Sequence, residues 1–114
     1  MKKYTENRPW GKFEQFTHNE ISTVKIITVE AGQKLSLQYH KNREEFWRFL
    51  DNPAKVTVGD KIIEVKKDSE VIIPKETKHR VEALSKPVRF LEIAFGNFDE
   101  NDNIRLEDDY GRVK

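Results

Sequence analysis

Leu35-Ser36-Leu37-Gln38-Tyr39-His40, the charged turn Lys41-Asn42-Arg43-Glu44, and Glu45-Phe46-Trp47-Arg48-Phe49 form the stretch on which this chain turns. As a strand, its first run places Lys34, Ser36, Gln38 and His40 on one face and Leu35, Leu37 and Tyr39 on the other, because strand side chains alternate. The second run puts Glu45 on the same face as Trp47 and Phe49. A polar face turned inward is costly unless something binds there. A carboxylate beside two aromatic rings needs a cation or a strong donor.

Outward from this stretch, short β-type runs alternate with turn signals. Residues 24–29 are rich in β-branched side chains and stop at Ala31-Gly32; residues 46–50 stop at Asp51-Asn52-Pro53. Residues 54–58 and 61–65 flank Gly59-Asp60, a two-residue hairpin signal. Residues 71–73 end at Pro74, and residues 80–83 and 88–95 complete the series. The spacing predicts an all-β sandwich or barrel, and no helical period competes with it. A single domain over residues 1–114 is expected. Residues 1–11 form an ordered lead-in with Trp10 as a packing anchor, and residues 99–114 an acidic loop and C-terminal arm.

Composition narrows the function classes. The chain has 114 residues, enough for one unstapled core. It has no cysteine, which excludes disulfides, thiolate metal sites and a cysteine nucleophile. With 21 Lys+Arg against 20 Asp+Glu, the net charge of +1 lacks the basic surplus of a general nucleic-acid binder. No apolar run approaches the length of a membrane span, and Lys2-Lys3 is not followed by the apolar core of a signal peptide. The expected location is the cytoplasm.

Gln38, His40, Glu45 and His79 carry the chemistry. Two imidazoles, a carboxylate and an amide oxygen suit a borderline divalent metal, with zinc favoured by the imidazole content. Trp47 and Phe49 would wall the cavity, and His18, in a polar loop, reads as solvated. A homodimer is expected, because small jelly rolls expose edge strands that pairing protects.

Several motifs in order resemble the cupin domain of type II mannose-6-phosphate isomerases. They are Arg8-Pro9-Trp10-Gly11, the run from Leu35 to Trp47, Ala54 to Asp60, Ile73-Pro74-Lys75-Glu76-Thr77-Lys78-His79-Arg80, and Arg105 to Arg112. The resemblance covers nearly the whole chain. It implies a double-stranded β-helix (jelly-roll) barrel with Gln38, His40, Glu45 and His79 as metal ligands. It also implies isomerisation of a sugar phosphate, mannose 6-phosphate to fructose 6-phosphate. In that family the domain usually follows a guanylyltransferase domain; here it is expected to stand alone. With both histidines used as ligands, proton transfer falls to a carboxylate or a metal-bound hydroxide; Glu92 and Glu82 both qualify as the carboxylate, and Arg43 and Glu92 are the expected catalytic residues. Arg43, Lys78 and Arg80 are the expected phosphate contacts, since a dianion needs Arg or Lys. The chain departs from the family pattern where Lys41-Asn42 and Phe46 replace histidines and Asn52 replaces a glycine. A cupin acting on, or only binding, another sugar phosphate or a nucleotide sugar is the alternative.

Overall fold

Trp47, Phe49 and Phe90 set the core. They are almost completely buried, and burying each stabilises the fold by roughly 1.5–3 kcal/mol. The computed structural model describes residues 2–111, and among them are eleven strands and no helix. β1 (Tyr4–Arg8) and β2 (Gly11–Gln15) make a separate hairpin. β3 (Ser22–Val29), β10 (Val88–Phe95), β5 (Glu45–Phe49) and β8 (Glu70–Ile73) form one sheet in that spatial order. β11 (Ile104–Glu107), β4 (Leu37–Tyr39), β9 (His79–Ala83), β6 (Ala54–Val58) and β7 (Lys61–Val65) form the facing sheet. The result is the expected jelly roll, with every pairing antiparallel. No helix of the described residues is long and apolar enough to cross a membrane.

The hydrophobic core draws on both sheets: Trp47, Phe49 and Phe90 from one, Val56, Val81 and Ala83 from the other. Phe49 and Phe90 are register partners, and their rings stack at 5.2 Å. The β6–β7 turn places Gly59 at φ 59°, and the first central position of this two-residue hairpin loop favours glycine.

Three regions differ from the sequence expectation. Trp10 sits at the tip of the β1–β2 hairpin and is 73% exposed, so it is no packing anchor. The hairpin is fixed at its other end, where Phe16 meets Phe46 at 5.3 Å and Glu14 pairs with Arg48 at 2.9 Å. This cover explains why Phe46, on the outer face of β5, is buried. Residues 104–107, read as loop, form β11 against β4. Leu35 precedes the regular part of β4 and packs against the core rather than facing away from it.

Candidate metal centre and ligand cavity

Two facing cross-strand rows build the site. On one sheet, Lys25 (β3), Glu92 (β10) and Trp47 (β5) are successive register partners. On the other, Arg105 (β11), Gln38 (β4) and His79 (β9) are. Directly paired residues project to the same side of a sheet, so each row presents its side chains together. All six line one cavity of about 170 Å³.

His40, Glu45 and His79 meet beside this cavity, with one candidate ligand atom from each lying within 4.8 Å of the others. The His40 and His79 rings are 4.8 Å apart. His40 Nδ1 lies 2.9 Å from the Asp102 carbonyl, and His79 Nδ1 lies 2.9 Å from the Thr77 carbonyl. A carbonyl only accepts, so both Nδ1 atoms carry the proton and both Nε2 lone pairs face inward. This is the outer-shell orientation that metal-binding histidines use. Burial lowers the pKa of both rings, that of His79 to about 4, which keeps them neutral as ligands must be.

The remaining partners divide unevenly. Glu45 accepts from Arg43 Nε at 2.9 Å and from Trp47 Nε1 at 3.2 Å. A second Arg43 nitrogen stands 3.3 Å from His40 Nε2, and a third donates to the Asp99 carbonyl at 3.1 Å. Asp102, in the acidic loop expected over residues 99–114, accepts from the Lys41 and Asn42 amides at 2.9 Å each, fixing the loop that carries His40. His79 Nε2, by contrast, is buried without a hydrogen-bond partner. A buried lone pair left unmet is costly, and a metal ion beside His40 and Glu45 would meet it. The donor set therefore fits a divalent metal. Gln38 lines the adjoining cavity as the register partner of His79, its Oε1 accepting from Ser36 at 2.6 Å.

Of the candidate bases, Glu92 lies in the cavity wall and Glu82 does not. Burial, reinforced by the neighbouring Glu45 carboxylate, pushes Glu92 up to about 7. Glu82 instead lies on β9 opposite Lys55 of β6, with Lys55 Nζ 3.9 Å from its carboxylate.

The expected phosphate contacts separate. Arg43 lines the cavity but is bound to Glu45 and stacks on Phe98 at 4.3 Å. Arg80 lines it too, with Nε on the Leu35 carbonyl at 2.8 Å and another nitrogen on the Glu107 carbonyl at 3.4 Å. Lys78 does not line it. It faces a different surface hollow and lies 3.5 Å from Asp60, because its neighbour His79 takes the inward position. Lys25, Asn103 and Arg105 line the cavity although none was named as a site residue from the sequence. His18 is exposed, as expected.

A jelly roll with an inward His/Glu/His cluster and a polar cavity is the architecture of a cupin. Similarity to a solved cupin protein, BF4112 from Bacteroides fragilis, agrees: TM-score 0.61 at 26% identity, over 68% of this chain and 70% of that one. The chain belongs to the family described as mannose-6-phosphate isomerase C-terminal, whose model matches residues 1–108. It is 36% identical over 108 residues to the xanthan biosynthesis protein XanB of Xanthomonas campestris pv. campestris (strain B100). It is equally similar to the mannose-1-phosphate guanylyltransferase ManC of Salmonella typhimurium. Both matches cover 93% of this chain but only 23% and 22% of those proteins, so the chain spans under a quarter of their length.

Proposed function

We propose that this domain is a metal-dependent aldose–ketose isomerase of a sugar phosphate, converting mannose 6-phosphate to fructose 6-phosphate. The observation that carries the reading is the placement of Glu92. It is a carboxyl with a pKa near 7 inside the cavity, on the row facing His79 and Gln38 and beside Glu45. A general base works best when its pKa is close to the working pH. Glu92 can thus take the proton from one sugar carbon and return it to the next. Gln38, His40, Glu45 and His79 would hold the metal, zinc by preference for imidazole donors. When bound, the metal would supply Lewis-acid stabilisation of the enediolate oxygen. Arg43 holds the Glu45 carboxylate in place, and Trp47 closes the cavity floor as a donor to the same group.

The positions at which the chain departs from the family pattern, Lys41, Asn42, Phe46 and Asn52, do not line the cavity. Phe46 packs on Phe16 outside the barrel, and Asn42 is exposed and away from the cavity lining. Asn52 has no left-handed backbone, so the loss of glycine there has no conformational cost. A coupled assay following fructose 6-phosphate from mannose 6-phosphate, with chelator and with zinc restored, tests the proposal. Turnover that disappears with chelator and with Glu92→Gln is expected. Absence of turnover in metal-restored enzyme would overturn the isomerase reading.

A further inference from the structure

Four cations line the cavity: Lys25, Arg43, Arg80 and Arg105. Three are engaged. Arg43 serves Glu45, and Arg80 serves the Leu35 and Glu107 carbonyls. Lys25 sits over the Phe98 ring at 4.1 Å and faces Glu92, its register partner. Arg105 differs: its Nε is buried with no hydrogen-bond partner. Two residues earlier, on the approach to β11, the Asn103 side-chain oxygen is likewise buried and unpartnered, and it lines the same cavity. The Arg105 Nε–H and the Asn103 carboxamide oxygen, each buried and unmet at one wall, form a site prepared for a ligand with an anion and a hydroxyl.

We infer that Arg105 is the anion anchor of this cavity, seating a phosphate monoester at the end of the ligand remote from the metal cluster, with Asn103 taking an adjacent sugar hydroxyl. The register sets the distance. Arg105 pairs with Gln38 and Gln38 with His79, so Arg105 stands two strand spacings, roughly 10 Å, from His79. A ligand spanning that gap has its phosphate at one end of the sugar and its reacting carbons at the other. A hexose 6-phosphate has this arrangement. A hexose 1-phosphate or a nucleotide sugar, with its phosphate on the anomeric carbon, does not. The inference rests on the sugar-phosphate reading and adds the position of the phosphate and the residue that selects it.

Isothermal titration of zinc-loaded protein with mannose 6-phosphate, mannose 1-phosphate, mannose and inorganic phosphate tests it. Arg105→Gln should weaken mannose 6-phosphate binding roughly 10–100-fold, the range of a lost charge-assisted pair. Its metal content, melting temperature and affinity for mannose should stay unchanged. Arg105→Lys should recover part of the loss, because it restores charge without the planar fork. Wild-type protein should prefer the 6-phosphate to the 1-phosphate, and Arg105→Gln should erase that preference. An unchanged mannose 6-phosphate Kd in Arg105→Gln, or failure of the wild type to bind any of the phosphates, would overturn the anchor. The two readings fail separately. Arg105-dependent binding without turnover leaves the anchor and removes the isomerase; turnover in Arg105→Gln at an unchanged KM does the reverse.

Discussion

Glu45 and His79 are both almost completely buried in the same barrel, yet their surroundings are opposite. Glu45 has Arg43 and Trp47 as donors, while His79 Nε2 has no partner. A charge buried with its partners in place belongs to the folded structure. A buried lone pair without one belongs to something the fold leaves room for. The His40–Arg43–Glu45 side is therefore built to stand in the absence of metal, and the His79–Arg105 side to receive ligand.

This contrast predicts a crossed pair of effects. Arg43→Leu strands the Glu45 carboxylate and should cost about 3–5 kcal/mol in metal-free protein, as removal of one partner of a buried pair does. Chemical denaturation with chelator present measures it. His79→Asn should lower stability less there, because the amide can keep the hydrogen bond to the Thr77 carbonyl and Nε2 has no hydrogen bond to lose. It should nevertheless remove most of the bound metal by elemental analysis, while His18→Ala leaves metal content unchanged. Equal stability losses for Arg43→Leu and His79→Asn would break the comparison.

The same contrast has a weaker reading in pH. His79 is depressed by burial to about 4 from 6.5, so between those values the unfolded chain binds the extra proton. Its contribution is present above about 6.5 and is lost as pH falls to about 4, up to about 3 kcal/mol. His40, also lowered by burial, acts with the same sign. Glu92, raised to about 7 from 4.5 by burial and Glu45, acts oppositely. There the folded chain binds the extra proton, so its contribution is present at low pH and is lost as pH rises from about 4.5 to 7. The two slopes offset each other in wild-type protein. Glu92→Gln should unmask the histidines, giving metal-free protein a steeper rise in stability from pH 4 to 6.5. An unchanged or shallower slope in urea titrations would count against the inward, neutral placement of His79.

Strand periodicity made much of this legible. Residues 54–58, 61–65 and 88–95 correspond to β6, β7 and β10 because alternation and turn residues agree there. The convergence of His40 and Glu45 with His79 was visible in spacing and resemblance, since a strand fixes which side chains share a face. β11 was hidden because its four residues lie between acidic runs and its partner strand is more than sixty positions away. Arg105 was lost with it, although it lies one register step from Gln38. Lys78 illustrates the opposite error: basic character beside His79 suggested a phosphate contact, whereas alternation already placed it outside. Trp10 was misjudged because the cost of exposing an indole does not decide where a hairpin tip points.

Asn42→His is the gentlest probe of the same division. It restores a histidine characteristic of the family at a position where this chain departs from that pattern. In the structure Asn42 is exposed, its amide is held by Asp102, and its side chain does not line the cavity. The substitution should therefore leave metal content unchanged and alter kcat/KM for mannose 6-phosphate by no more than about twofold, in line with the ~0.5 kcal/mol typical of surface positions. A larger gain would mean that the loop carrying His40 folds over the cavity when substrate binds. The boundary between the self-satisfied and ligand-receiving sides would then lie at residues 41–42 rather than at His79.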